Sequence, residues 1–375
     1  MNGPRREALP EGIAGLADFE AHARARLSEP AWAYFSGGAA DELSLRANRT
    51  AWDALRLHPR VLRELAGGHT RTHLLDRELP HPILLAPIAY QQLAHADGEI
   101  ASAYAAAAQD AGLILSAQSS TPLETVAQAM AGGAGPLWFQ LYIQPDRGFT
   151  RELVQRVEAA GYQALVLTVD APVQGARDRE RRAGFKLPAP ISAVNLAGAI
   201  PPARAALGSG QSALFDGLLS TAASWRDVEW LHGITRLPLL LKGVQHADDA
   251  RQAMDLGAAG LVVSNHGGRT LDTVAATAEL LPYLAEALRA RAGPRASLLV
   301  DGGIRRGTDV LKAIALGADA VLLGRPYVHA LATAGALGVA HALRLLRDEL
   351  EIAMALCGCK QLSEAGPHLL WQTRP

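Results

Sequence analysis

The sequence predicts an α/β protein built as one (β/α)8 TIM barrel, with a helical segment before the barrel and a long insertion after its fourth strand. Three observations indicate this fold class. Eight short apolar runs alternate with longer segments of helical periodicity, and three of those segments end in glycine. The 375 residues are also 49% hydrophobic and 19% charged, which is enough apolar material for a large core.

The predicted strands are short and continuously apolar, as expected where a parallel sheet is covered on both faces. They comprise residues 83–86, 113–116, 137–141, 164–169, 238–242, 260–264, 297–301 and 320–324. The clearest predicted helices between them comprise residues 98–111, 151–161, 247–257 and 306–317. A glycine followed by a new apolar run is a typical helix end.

We expect residues 1–375 to form a single domain, in which residues 83–340 make the barrel. Residues 12–60 have a helical pattern and precede it. Residues 183–224 form an insertion rich in Pro, Gly, Ala and Ser. Insertions of this kind on a barrel often cover the active site, so a lid-like role is expected, with a surface decoration as the alternative.

Charge and cysteine content exclude several classes of protein. The formal net charge is -1 and the basic residues are scattered, so nucleic acid and anionic membranes are not expected partners. The two cysteines, Cys357 and Cys359, have no zinc-ligand spacing and are expected to be free thiols. The polar residues 1–10 do not resemble a signal peptide, and we identify no apolar stretch of about 18 residues. A soluble, cytoplasmic protein is expected.

Polar and glycine residues gather at the carboxyl ends of the predicted strands, which is the face where TIM barrels hold their active sites. In strand order they are Ser116; Gln140 and Tyr142; Thr168 and Asp170; Lys242; Ser264, His266 and Arg269; Asp301, Gly302 and Gly303; and Gly324 and Arg325. The first strand is followed by the apolar residues Pro87, Ile88 and Ala89. A random distribution would put as many such residues at the opposite ends. The pattern therefore predicts an active site at this face.

Individual residue types indicate what that site binds. "DGGIRRG" after the seventh strand and "GRP" after the eighth offer backbone amides, Arg305 and Arg325 to a phosphate, although glycines can also simply form tight turns. Lys242 ends an apolar strand and needs either an anion or a Schiff-base role. His266 follows the sixth strand and Asp170 the fourth, so a carboxylate can orient the imidazole for catalysis.

Several longer motifs resemble one family. They are "GLVVSNHGGRTLD" and "LLVDGGIRRGTDVLKAIALGADAVLLGRP", together with "AYFSGGAADE", "APIAYQQLAHADGE", "WFQLY" and "LTVDAPVQGARDRE". In this order they resemble the FMN-dependent L-2-hydroxy-acid oxidases and dehydrogenases, the group of glycolate oxidase, lactate oxidase, hydroxymandelate oxidase and mandelate dehydrogenase. The resemblance extends over about residues 15–365.

The resemblance implies roles for individual residues. His266 would be the catalytic base, Asp170 its partner, and Tyr142 would face the reacting hydroxyl. Arg177, Arg269 and Tyr34 would bind the substrate carboxylate. The residues implied to contact FMN are Pro87, Ile88, Ala89, Ser116, Gln140, Thr168, Lys242, Ser264, Asp301, Gly302, Gly303, Arg305, Gly324 and Arg325. Among them, Lys242 would lie near N1 of the flavin. The ribityl chain and phosphate would be held by Asp301, Gly303, Arg305, Gly324 and Arg325.

The implied reaction is oxidation of a small L-2-hydroxy acid to the 2-oxo acid, with oxygen reoxidising the flavin to give hydrogen peroxide. A dehydrogenase that passes electrons to a quinone or another acceptor is the alternative. A flavin-free phosphosugar lyase or isomerase would leave His266, Asp170, Arg177 and Arg269 unexplained, and a flavin-binding protein without catalysis would require a broken site. The resemblance also implies a homo-oligomer, a tetramer. Gln118, Gln174 and Thr270 depart from the glycolate oxidase pattern, so the substrate side chain stays open.

Overall fold

Eight parallel strands close into a barrel in the computed structural model, which describes residues 7–199, 208, 210–290 and 296–371. The strands follow one another in chain order around the barrel, and the last pairs with the first. They are β3 (Ile83–Leu85), β4 (Gly112–Ser116), β5 (Leu137–Leu141), β6 (Leu165–Thr168), β7 (Leu239–Lys242), β8 (Gly260–Val263), β9 (Ser297–Val300) and β10 (Ala320–Leu323). The predicted fold class is confirmed, and each strand lies within one residue of its predicted bounds at either end.

Helices surround the barrel and precede it. They are α1 (Asp18–Arg26), α2 (Glu29–Ser36), α3 (Leu43–Ala54), α4 (Gly98–Ala108), α5 (Leu123–Ala129), α6 (Arg147–Ala159), α7 (Asp178–Arg182), α8 (Trp225–Ile234), α9 (Ala247–Asp255), α10 (Thr277–Arg289), α11 (Gly307–Ala315) and α12 (Arg325–Leu356). The strands are buried on both faces because one set of side chains fills the barrel and the other packs under the helices. Burying each Leu or Val in this way stabilises the fold by about 1.5–3 kcal/mol.

A short hairpin that the sequence analysis missed closes the amino-terminal end of the barrel. Its strands β1 (Thr72–Leu74) and β2 (Arg77–Leu79) are antiparallel. Leu74 and Leu79 are buried in the same cluster as the side chains inside the barrel, including Leu84 and Trp138. Strands of three residues are too short for a recognisable alternation of apolar and polar residues. The opposite end of the barrel is left for the site.

The helical segment before the barrel is tied to the loops that follow strands β8 and β9. Arg49 of α3 donates to the carbonyl of Gly303 at 2.6 Å and forms an ion pair with Asp309. The indole of Trp52 donates to the carbonyl of Gly302 at 2.8 Å. Within residues 12–60, where the sequence predicts a helical segment, the structure has the three helices α1, α2 and α3. This segment therefore fixes the position of the carboxyl-terminal loops.

Two predictions from the sequence need correction here. Helix α6 begins four residues before predicted residue 151, because the Asp146 carboxylate caps it by accepting hydrogen bonds from the amides of Gly148 and Phe149.

The second correction concerns the expectation that no apolar stretch of about 18 residues occurs. Residues 326–343 contain no Asp, Glu, Lys or Arg, and their helix α12 is long and apolar enough to cross a membrane by length and composition. In the fold, 67% of its apolar window is buried, and the helix is interrupted at Ala334 and Gly335.

The insertion predicted at residues 183–224 lies partly outside the described residues, which omit 200–207 and 209. Its first part packs on the barrel mouth, where the ring of Phe185 stacks on that of Tyr34 with 4.7 Å between centroids. Asn195 is fully buried and donates to the hydroxyl of Ser119 at 2.7 Å. The described part is thus anchored to the loop after β4, and its action as a lid stays a prediction.

Candidate active site

A cavity opens at the carboxyl ends of the barrel strands. Of the twenty residues that the sequence assigns to the site, eighteen line it: Tyr34, Pro87, Ile88, Ala89, Ser116, Gln140, Tyr142, Thr168, Arg177, Lys242, His266, Arg269, Asp301, Gly302, Gly303, Arg305, Gly324 and Arg325. The other two, Asp170 and Ser264, lie directly behind this wall and contact residues on it. The barrel therefore brings together side chains that are up to 291 positions apart in the sequence (34 to 325).

His266, which follows β8, is held by a carboxylate from the loop after β6, two strands away in the barrel. Its Nδ1 lies 2.9 Å from Oδ1 of Asp170, whose side chain is only 5% exposed. Burial lowers the pKa of His266, although the hydrogen bond with Asp170 opposes that shift. Burial alone would raise the pKa of Asp170, but the bond with His266 and the charge of Lys242 hold it below its usual value. The pair thus keeps a neutral imidazole beside an ionised carboxylate near neutral pH.

The backbone of His266 adopts a left-handed conformation, with φ of 57°. This is uncommon for a residue with a side chain and persists only where neighbouring contacts hold it. The amide of His266 donates to the hydroxyl of Ser264 at 3.0 Å. The preceding Asn265 exchanges two hydrogen bonds with Asn48 of α3, at 2.8 and 2.9 Å, and both side-chain amides are buried. The turn is therefore fixed from both sides.

Two arginines converge beside His266. Arg269 donates through Nη1 to the carbonyls of Tyr34 and Gly37, the latter at 3.0 Å, and through Nη2 to Oε1 of Glu180 at 3.0 Å. Arg177 approaches the same Glu180 oxygen at 3.4 Å, while its Nε is buried and meets no hydrogen-bond acceptor in the described ranges. Burial and the charge of Arg177 lower the pKa of Arg269. A region this rich in guanidinium groups favours a carboxylate ligand.

Two tyrosines face the same space. Burial raises the pKa of Tyr34 to about 12, although the nearby Arg269 and Arg177 oppose that shift. Burial also raises the pKa of Tyr142 to about 12, and the charge of Asp170 adds to the effect. Both hydroxyls therefore stay protonated at neutral pH and can donate hydrogen bonds to a bound ligand.

Lys242, at the end of β7, is buried and forms an ion pair with a carboxylate, which compensates the cost of burying its charge. Its Nζ lies 3.1 Å from a carboxylate oxygen of Asp301 and 2.9 Å from the hydroxyl of Ser264. The second oxygen of Asp301, Oδ1, is buried and has no hydrogen-bond partner among the described residues. Ser264 is fully buried and does not reach the cavity wall, so its place is behind Lys242 and His266. An ion pair with Asp301 also accounts for the lysine without a Schiff base.

The loops after β9 and β10 form the end of the cavity that is suited to a phosphate. Gly302 and Gly303 both have φ of 87°, and a Cβ on Gly303 would lie 2.3 Å from the carbonyl of Asn48. Arg325 is partly buried, and within the described part of the chain its guanidinium donates to three backbone carbonyls, those of Phe35, Gly37 and Gly267. Burial lowers the pKa of Arg325 to about 9. Arg305 also lines the cavity and lies 3.6 Å from Glu20.

Strands β4 and β5 contribute a pair of amide and hydroxyl groups. Ser116 donates through Oγ to Oε1 of Gln140 at 3.1 Å. Nε2 of Gln140 is buried and has no hydrogen-bond partner in the part of the chain that the structure describes. Residues 87–89 after β3 form the adjoining wall. Unpartnered buried groups such as Gln140 Nε2 and Asp301 Oδ1 are costly unless a ligand satisfies them.

A second cavity of about 910 Å³ adjoins the first and shares part of its lining, namely Tyr34, Gln118, Tyr142, Thr168 and Arg177. Its outer wall includes Tyr90, Phe185, Leu187, Leu218 and the exposed Gln174. The volume lies in the range of small-molecule sites. Because Gln118 and Gln174 stand on this wall, they are positioned to influence which ligand fits.

Sequence reasoning missed three residues that shape the site. Glu180 joins the two arginines, Asn48 pairs with Asn265, and Arg49 binds the loop after β9. The only sequence signal for Glu180 is its spacing of three residues from Arg177, which places both on one side of a helical turn. Asn48 and Arg49 lie more than 200 residues from their partners, and no local pattern reveals such contacts.

Comparisons with known proteins agree with this arrangement. The family model for FMN-dependent dehydrogenases matches residues 23–372. An L-lactate oxidase of Alicycliphilus denitrificans is 47% identical over 359 residues, covering 96% of each chain, and glycolate oxidase 1 of Zea mays is 42% identical, covering 94% of each. A crystal structure of mandelate oxidase with (S)-2-phenylpropionate is 40% identical, with a TM-score of 0.85 over 96% of this chain and 98% of that one.

Proposed function

The chain belongs to the FMN-dependent dehydrogenase family and is an FMN-dependent oxidoreductase of 2-hydroxy acids, and from this premise we propose that it oxidises an L-2-hydroxy acid with His266 as the base. The observation that carries the proposal is one cavity in which the Asp170–His266 pair adjoins the cluster of Arg177 and Arg269. This is the set of groups needed to bind a carboxylate and remove a proton next to it.

The residues at the cavity fit FMN. Among the described residues, the buried atoms Nε2 of Gln140 and Oδ1 of Asp301 have no hydrogen-bond partner, and the partly buried Arg325 donates to carbonyls and forms no ion pair with a carboxylate. We propose that Gln140, Ser116, Thr168 and the 87–89 segment hold the ring, and that Asp301, Gly302, Gly303, Arg305, Gly324 and Arg325 hold the ribityl chain and phosphate. FMN supplies an acceptor for the two electrons that leave the substrate.

The substrate carboxylate is taken by the guanidinium groups of Arg177 and Arg269, and by the hydroxyl of Tyr34. The Tyr142 hydroxyl donates to the substrate oxygen. Since Nδ1 of His266 is occupied by Asp170, its Nε2 is the nitrogen that accepts the substrate proton. The imidazolium formed in that step lies against an ionised Asp170, which stabilises its charge. Lys242, already paired with Asp301, contributes positive charge where electrons arrive.

Oxygen is the proposed acceptor that completes the reaction, with hydrogen peroxide as the product. The support is that the relatives compared above are named as oxidases. A dehydrogenase that passes electrons to a quinone is the second candidate. The adjoining cavity of about 910 Å³ supports substrates with side chains larger than a methyl group.

We also propose that residues 1–375 act as one functional domain, that the protein is cytoplasmic, and that it is a homotetramer. Buried free thiols at Cys357 and Cys359 fit a reducing compartment. Exposed apolar side chains on α12, including Ile352 and Leu356, fit contact with further copies. Measuring the molar mass in solution tests the oligomeric state, since a monomer would contradict it.

Oxygen consumption tests the proposed function. Purified protein loaded with FMN is given glycolate, L-lactate, longer aliphatic L-2-hydroxy acids and L-mandelate, while oxygen uptake and peroxide are followed. We expect one peroxide for each oxygen consumed, with D-enantiomers inactive. Flavin reduction without oxygen uptake would favour the dehydrogenase, and no flavin reduction by any member of the series would contradict the proposal.

A further inference from the structure

Glu180 lies between Arg177 and Arg269, the two arginines that we call the carboxylate clamp, and it contacts both through one oxygen atom. Its Oε1 is 3.0 Å from Nη2 of Arg269 and 3.4 Å from Nη1 of Arg177. The side chain is only 7% exposed, compared with 14% for Arg269 and 16% for Arg177. A shared acceptor of this kind fixes the spacing of the two guanidinium groups relative to each other.

The charges around the clamp divide into separate groups. Lys242 is paired with Asp301, and His266 with Asp170. Glu180 is the carboxylate that contacts Arg177 and Arg269, so these three side chains carry a net charge of one positive unit. Nε of Arg177 is a buried donor for which the described residues provide no acceptor. The clamp is therefore prepared for one further negative charge.

We propose that Glu180 is a positioning and specificity-determining residue, which makes the clamp select substrates with a single carboxylate over dicarboxylates. The inference rests on the proposed function, because it concerns the same substrate site. A second carboxylate on the ligand is repelled by Glu180 in a region of low dielectric constant, where charges interact more strongly than in water. The same oxygen holds Arg177 and Arg269 in the orientation that turnover requires.

Two substitutions of Glu180 separate the effect of its charge from the effect of its side-chain length. Glu180→Gln keeps the length of the side chain and an oxygen acceptor but removes the negative charge. Glu180→Asp keeps the charge but shortens the side chain by one methylene, so it can no longer contact both arginines as well. Asp178→Asn is the matched control, because Asp178 lies on the same short helix and pairs with the exposed Arg181 and Arg182.

Oxalate and oxamate are suitable probes because they have nearly the same shape and differ by one negative charge. Their Kd values are measured on the holoprotein from the change in absorbance of the bound flavin, without turnover. In Glu180→Gln, we expect the ratio of the oxamate Kd to the oxalate Kd to rise about tenfold or more, as for loss of a close charge interaction. The ratio should change less than about twofold in Glu180→Asp and Asp178→Asn, since exposed or retained charges alter it little.

Turnover provides a second readout. Both Glu180 variants should lower kcat for a monocarboxylic L-2-hydroxy acid, while only Glu180→Gln changes the charge selection. An unchanged Kd ratio in Glu180→Gln, in protein with normal circular dichroism and flavin content, would overturn the inference, as would an equal change in Asp178→Asn. If no 2-hydroxy acid reduces the wild-type flavin, the proposed function fails, and the binding ratio still reports on Glu180.

Discussion

Nδ1 of His266 and Oδ1 of Asp170 lie 2.9 Å apart, although the two residues come from the loops after different strands, β8 and β6. Burial favours the neutral imidazole and lowers the pKa of His266, whereas the Asp170 carboxylate favours the imidazolium and raises that pKa. These opposing effects suit a group that must accept a proton and later release it. The pair also fixes which imidazole nitrogen faces the substrate.

We expect Asp170→Asn to slow flavin reduction by substrate about 10²–10⁴-fold, because His266 becomes a weaker base and its ring is less well oriented. Only neutral His266 can accept a proton, so activity is lost as the pH falls through its pKa. That pKa is already below its usual value, and removing the carboxylate lowers it further. The acid limb of kcat/KM should therefore move to lower pH.

The pH profile is measured from about pH 5 to about pH 9, the range in which a histidine titrates. Asp248→Asn is the control, because Asp248 also lies near a histidine, His246, but on the exposed surface at 3.7 Å. An acid limb that stays in place or moves to higher pH in Asp170→Asn would mean that Asp170 does not set the protonation of the base.

Arg269→Lys should reduce kcat/KM about 100-fold although it conserves charge. A lysine cannot donate at once to the carbonyls of Tyr34 and Gly37, to Glu180 and to a carboxylate, as the guanidinium fork can. Steady-state kinetics should show the loss mainly as weaker saturation by substrate. Arg181→Lys, at an exposed position nearby, should behave as wild type. Equal values for both variants would exclude Arg269 from carboxylate binding.

Lys242→Met should lower the reduction potential of the bound flavin and weaken sulfite binding, while Lys242→Arg should retain most of both. The methionine removes a positive charge and leaves the Asp301 carboxylate without its cation, so added negative charge nearby becomes less favourable. Titration with a reference redox dye and with sulfite measures the two quantities. Wild-type values in Lys242→Met would show that Lys242 has only a structural role.

Asn48→Ala should lower the free energy of unfolding by about 1–3 kcal/mol, because it removes the two buried hydrogen bonds between the side chains of Asn48 and Asn265. Since Asn265 precedes His266, flavin reduction should slow as well. Urea unfolding and single-turnover kinetics measure these effects, with Thr50→Ala on the exposed side of α3 as the control. If Asn48→Ala is as stable and reduces its flavin as fast as Thr50→Ala, Asn48 supports neither the fold nor the position of His266.

The sequence predicted the barrel because each strand is apolar on both faces, and a run such as 137–141 has no other reasonable interpretation. The sequence also predicted residues that line the cavity, since these residues directly follow the carboxyl ends of the strands. Contacts that depend on distant segments could not be predicted. Glu180 lies on a five-residue helix, and its role appears only when Arg269 is brought next to Arg177. Likewise, the uncharged stretch of α12 is identified as a core helix only from its burial.

Anaerobic mixing of the FMN-loaded protein with its best L-2-hydroxy acid tests the central claim most directly, with wild type and His266→Gln compared in single turnover. We predict that the wild-type flavin loses its absorbance rapidly, and that His266→Gln retains bound FMN but is reduced at least about 10²-fold more slowly. Reduction of the His266→Gln flavin at a rate near that of wild type would contradict the assignment of His266 as the base.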